Sequence, residues 1–146
     1  MRALDYPPVW LAGFVAVAWA QQHWLPVGGP GVFRGPGTLL VLAGLALMAA
    51  AAVEFLRRRT TIVPHRAPAA LITGGVYRFT RNPIYLGDAL VLLGLVLRWG
   101  AWPSLILVPV FGMVITVRFI RPEEARLRAA FGAAFEDWAA LTRRWL

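Results

Sequence analysis

Four long apolar stretches, separated by segments that hold most of the charge, constrain this chain more than any other feature. They run from Val9 to Leu25, Thr38 to Leu56, Ile84 to Leu97 and Pro103 to Ile120, roughly 17, 19, 14 and 18 residues, where a membrane-spanning helix needs about 20 and at least about 17. The third would rise only about 21 Å as a helix, so it is expected to cross by packing against the fourth, through the tight Arg98–Trp102 turn. A soluble domain keeps about a quarter of its residues charged. Here 15% of 146 residues are charged and 59% are hydrophobic, too little polar sequence to coat a globule. The reading is one all-α integral membrane domain spanning 1–146. Disorder and coiled coil are excluded, and the lack of any Cys excludes a disulfide scaffold.

Every basic side chain is arginine, and the formal net charge is +8. Such a balance elsewhere suggests nucleic acid, but these arginines lie between apolar runs, as topology demands. Arg57, Arg58, Arg59, Arg66, Arg78 and Arg81 fall in the middle loop, and Arg118, Arg121, Arg126, Arg128, Arg143 and Arg144 in the tail. The other two loops hold one each, Arg34 and Arg98. Both termini and the 57–82 loop are therefore expected in the cytoplasm, with four crossings of a bacterial-type inner membrane. A signal peptide is the competing reading of the first run, but Arg2 is a thin basic region and Gln21-Gln22-His23-Trp24 a poor cleavage site.

The middle loop is too long and too aromatic for a plain connector. It ends in Thr80-Arg81-Asn82-Pro83, where Asn82 is expected to cap and Pro83 to open the third helix, its positive dipole end facing the cytoplasm. After Pro122, which is expected to bend the chain, Leu127, Phe131, Phe135, Trp138, Leu141 and Trp145 fall three or four apart. That spacing predicts one amphipathic helix over 122–146 on the cytoplasmic face. Glu123 and Glu124 in its first turn suit the helix dipole whatever else they do. Asp88 and Glu54, acids near the membrane edge, are expected to pair with Arg81 or Arg57, or to act in a site.

The run Gly75-Val76-Tyr77-Arg78-Phe79-Thr80-Arg81-Asn82-Pro83-Ile84-Tyr85-Leu86-Gly87 resembles the isoprenylcysteine carboxyl methyltransferases and their phospholipid-methyltransferase relatives. So does a second region, Arg121-Pro122-Glu123-Glu124-Ala125-Arg126-Leu127, then Phe131-Gly132, Phe135, Trp138 and Arg143-Arg144-Trp145. Asn82 stands where the prenyl-protein enzymes carry His, and Phe119 where they tend to carry Arg. The resemblance implies a methyltransferase that uses S-adenosylmethionine, yielding S-adenosylhomocysteine, with its pocket at the cytoplasmic face.

The cofactor presents a sulfonium, an ammonium, a carboxylate, a ribose and an adenine. Glu123 and Glu124 suit the ammonium or ribose; Tyr77, Tyr85 and Trp138 suit the sulfonium and adenine. Arg81, or the free N–H groups in the first turn of the third helix, which Asn82 and Pro83 open, suits the carboxylate. Gly74, Gly75 and Gly87 let backbone approach closely, and Leu71 and His65 complete the expected cofactor set, with a solvated His65 an equal alternative. For the acceptor, a carboxylate is already ionised and needs a cation, for which Arg118 and Arg121 are placed, with Arg81 and Glu124 completing the expected catalytic set. An amine acceptor would need a proton-accepting partner instead. The expected acceptor is a lipid-like or small apolar molecule entering from the membrane, with its carboxylate methylated, or alternatively a phospholipid amine or a thiol. Two isolated His and no Cys exclude a metal centre. An NADPH-dependent membrane reductase and a non-enzymatic scaffold or channel are the rival readings.

Overall fold

The computed structural model describes residues 6–29, 31–58 and 70–146. Its helices are α1 (Pro7–Trp24), α2 (Arg34–Arg57), α3 (Pro83–Trp99), α4 (Leu107–Ile115), α5 (Arg121–Phe131) and α6 (Ala133–Leu141). Short 3-10 turns cover Gly31–Phe33, Gly75–Arg78 and Trp102–Ile106, and a π-helical segment covers Thr116–Ile120. The described residues contain no strand. Two helical stretches, Gly31–Arg57 and Trp102–Phe131, are long and apolar enough to cross a membrane. Leu39, Leu42, Leu45 and Leu56 of α2 are left exposed, as lipid-facing leucines would be.

Local chemistry explains the helix limits. Prolines open α1 and α3, where a missing N–H costs nothing. Gly100 ends α3 in the left-handed region at φ 70°, with its N–H bonded to the Leu97 carbonyl and the Ala101 N–H to that of Val96. The third helix therefore has 17 residues, longer than its apolar run because Pro83, Arg98 and Trp99 belong to it. At 1.5 Å per residue it reaches about 26 Å.

Its principal partner is α2, which corrects the expectation that α3 leans on α4. Gly37 and Gly44 of α2 face Gly94 and Gly87 of α3 across an antiparallel contact. A Cβ at Gly37 would sit 2.6 Å from the Gly94 carbonyl oxygen, and one at Gly87 2.7 Å from that of Gly44. Backbones touch here, so the small residues are required by the helix pair. On the other flank, Leu92 and Val96 of α3, Ala18 of α1 and Phe111, Ile115, Phe119 and Ile120 form a buried cluster, with Phe14 edge-on to Phe111 at 5.3 Å.

Two expectations about the tail are corrected. Pro122 does not bend the chain away: α4 continues through the π segment into α5. A proline removes one i→i−4 bond and crowds the preceding turn, and the π turn just upstream absorbs that misfit, the Arg121 N–H reaching back five residues to the Thr116 carbonyl. Nor is 122–146 one amphipathic helix. Gly132, at φ 50°, breaks it, and α6 folds back to bury Phe135 and Trp138 against Ala51, Ile72 and Tyr77. Leu141 is left exposed, and Trp145 packs on the α1–α3–α4 cluster, its indole N–H donating to Thr116 Oγ1 at 3.1 Å.

Candidate active site between the loop and the tail

The C-terminal end of α2, the Gly75–Arg78 turn, the start of α3 and the tail meet at one end of the bundle. The apolar floor comes from Ala51, Ile72, Tyr77, Phe135 and Trp138, with Leu71, Phe55 and Phe131 against it. The Trp138 indole N–H donates to the Tyr77 carbonyl oxygen at 3.1 Å, tying α6 to the turn. Gly75 takes φ 56°, and a Cβ there would collide with the Glu54 carboxylate. Only glycine allows both the turn and the approach of that carboxylate.

Glu124 is the polar centre. Buried on α5, it accepts from Arg144 Nε at 3.0 Å and Arg144 Nη2 at 2.7 Å, a bidentate pair, while Arg81 Nη1 lies 3.2 Å from its Oε1. The strand of chain after α6 is pinned to the same place. The Arg81 N–H donates to the Arg143 carbonyl at 2.9 Å, and Asn82 Nδ2 to the Arg144 carbonyl at 2.9 Å. Thr80 Oγ1 accepts from the Asn82 N–H at 3.2 Å. Asn82 thus stands at the cap position without capping: its side chain spans to the tail, a correction to the capping role.

Beside this knot, the Tyr85 hydroxyl donates to Glu123 Oε2 at 3.2 Å. Burial pushes the Tyr77 hydroxyl above the ordinary phenol range, and the charges of Glu123 and Glu54 push it further. Three carboxylates, Glu54, Glu123 and Glu124, and two phenols therefore share one region. Arg81 Nε is buried and has no hydrogen-bond partner among the described residues, a donor placed for an acceptor.

The structure brings Leu71, Gly75, Tyr77, Arg81, Asn82, Pro83, Tyr85, Glu123, Glu124 and Trp138 to this end. Gly87 lies one turn further along α3 with its Cα against α2, so helix packing accounts for it. Arg118, on the π segment, places its guanidinium over the Trp10 ring of α1 at 5.3 Å, and Arg121 is exposed at the start of α5. His65 lies outside the described residues. Glu54 pairs with Arg57 at 3.5 Å, while Arg81 pairs with Glu124 and not with Asp88. Arg144 is the residue that sequence reasoning passed over. Its only signal was membership of the basic, aromatic end of the tail motif, and no periodicity links it to an acid 20 positions earlier.

The family model for phospholipid methyltransferases matches residues 34–134, which contain α2 through α5, the loop and all three carboxylates of the site. Neither a protein of curated function nor a solved structure matches the chain.

Proposed function

The chain belongs to the phospholipid methyltransferase family, a membrane methyltransferase family, and from that premise we propose that it is an S-adenosylmethionine-dependent enzyme whose cofactor lies between the loop and the tail. The observation that carries the proposal is the buried, unpartnered Arg81 Nε beside a cluster of carboxylates and phenols. A zwitterion with an added sulfonium needs that mixture: one donor for its carboxylate, and anionic or aromatic groups for its two cations. The residues present fit it. Arg81 would hold the cofactor carboxylate, Glu123 or Glu54 the ammonium, and Tyr77 and Tyr85 would face the cationic sulfur. When bound, S-adenosylmethionine supplies an electrophilic methyl group.

The chain's own share is positioning and exclusion of water, which suits an in-line displacement. Trp138 and Phe135 close the apolar side, and the Arg81–Glu124–Arg144 knot fixes α3, α5 and the tail relative to one another. Glu124 is already met by two guanidiniums, so its part is to hold Arg81 in place. The proposed acceptor is a lipid-like molecule with a polar head, carboxylate favoured, approaching past Arg118 and Arg121, which lie on the α1-facing and exposed sides of the α4–α5 column. Four crossings, with both termini and the site in the cytoplasm, complete the proposal.

Calorimetric titration of detergent-purified protein tests it. S-adenosylmethionine should bind and NADPH should not, and Arg81→Ala should weaken cofactor binding about ten- to a hundredfold, the value of one charge-assisted contact. Absence of S-adenosylmethionine binding by folded protein, or unchanged affinity in Arg81→Ala, would remove the assignment.

A further inference from the structure

At the other end of α3, roughly 25 Å away along a helix rising 1.5 Å per residue, a cleft of about 360 Å3 opens between the last turns of α1 and α3 and the first turn of α2. Trp19, Gln22, His23, Arg34, Arg98 and Trp99 line it. The glycine contact builds this juxtaposition. A Cβ on Gly37 would touch the Arg98 backbone N at 2.6 Å, so Arg34, about one turn earlier on α2, is drawn beside Arg98. Arg98 Nη1 donates to Thr38 Oγ1, and the His23 ring stacks on Trp19 with centroids 5.1 Å apart.

Three features of this end ask for an anion that carries a donor. The sequence has no Asp or Glu between 6 and 53 or between 89 and 122, so no carboxylate on these segments balances the two guanidiniums. Arg98 and His23 sit at helix C-termini, where the dipole favours a cation, but Arg34 opens α2, where it disfavours one. That first turn holds no acid, and no side chain caps it. Finally, Gln22 Oε1 is buried with no hydrogen-bond partner among the described residues, an acceptor without a donor.

We propose that this cleft is a second binding site, for a phosphate ester whose other arm carries a hydroxyl or an ammonium. The phosphate would lie between Arg34 and Arg98, whose planar donor forks match it, and the hydroxyl or ammonium would donate to Gln22 Oε1. Trp19 and Trp99 flank the cleft as aromatic residues do at the level of lipid headgroups. A phospholipid headgroup and a soluble phosphate ester share this chemistry. The site is separate from the proposed methyl-transfer site and does not depend on it.

Calorimetry on the full chain in an uncharged, phosphate-free detergent decides the matter, using dihexanoylphosphatidylglycerol, glycerol 3-phosphate and dihexanoylglycerol as probes. The phosphatidylglycerol should bind saturably, at least tenfold more weakly to Arg34→Gln, while dihexanoylglycerol should not bind. Arg34 is exposed, so that variant should keep the wild-type melting temperature; Arg98→Lys, which keeps the charge but loses the planar fork, should bind more weakly than wild type. Gln22→Leu should weaken phosphatidylglycerol but leave phosphatidylmethanol, which has no donor, unaffected. Equal binding of glycerol 3-phosphate, with the same loss in Arg34→Gln, would uphold the site and identify its ligand as soluble. Unchanged affinity in Arg34→Gln, or equal binding of the phosphate-free lipid, would overturn it.

Discussion

Glu124 joins three segments far apart in sequence, and its removal should show in stability before it shows anywhere else. Glu124→Ala strands two guanidiniums that share one carboxylate, and breaking such a buried pair costs about 3 kcal/mol. Thermal unfolding in detergent should therefore place Glu124→Ala well below Glu124→Gln, which keeps one oxygen to accept from the guanidiniums. An equal melting temperature for the two would mean that the lost charge, which both variants share, and not the remaining hydrogen bonding sets the cost. Arg144 is more exposed, so Arg144→Ala should cost less. Tyr77 makes a second prediction, on pH. Its folded value is raised above the ordinary value of about 10, so the folded state keeps a proton that the unfolded state loses. The stability it contributes is whole below about pH 10 and falls as pH rises above it. Tyr77→Phe should flatten that alkaline decline, measured as melting temperature from pH 8 to 11. A decline of identical slope in the variant would assign it to other groups. At this scale the sequence was partly legible. The acids, phenols and Arg81 could be picked out because the motifs carry them, but the use of Asn82 as a bridge instead of a cap depends on the tail carbonyls, which no local pattern reveals.

Among elements, the α2–α3 contact makes the sharpest expectation. Gly44→Ala places a Cβ 2.6 Å from the Gly87 carbonyl oxygen, a distance no helix pair tolerates without separating. Overpacking of this kind costs typically 1–3 kcal/mol. Gly13 is the control. It lies in α1 with nothing within 4 Å of a Cβ, so Gly13→Ala should gain up to about 1 kcal/mol of helix propensity. Melting temperatures moving in opposite directions would establish the contact; a neutral Gly44→Ala would show that the two backbones are not so close. The helices themselves were readable as apolar runs, and the limits of α3 from Pro83 and Gly100. Their pairing was not. Gly37 and Gly44 on α2, and Gly87 and Gly94 on α3, are each seven residues apart, and only the fold shows that the two pairs face each other. The break at Gly132 was likewise hidden, because the apolar spacing of the tail continues across it and only the positive φ stops the helix.

For the molecule as a whole, the arginine distribution predicts that reporter fusions after Gly31 and Gly100 lie outside and one after His65 inside. An external report after His65 would put the loop–tail site on the wrong side for a cytoplasmic cofactor. The membrane class was legible from composition, because nothing else accommodates so few charges. The assembly of the polar end was not, since it depends on contacts between residues as much as 64 positions apart. That separation has a temporal meaning. Arg143 and Arg144 are made after every helix they join; their carbonyls receive Arg81 and Asn82, and the guanidinium at 144 closes on Glu124. Until then Arg81 lacks its backbone acceptor, and Glu124 lacks its bidentate partner. The polar end is thus closed by residues made later than every helix that it ties together.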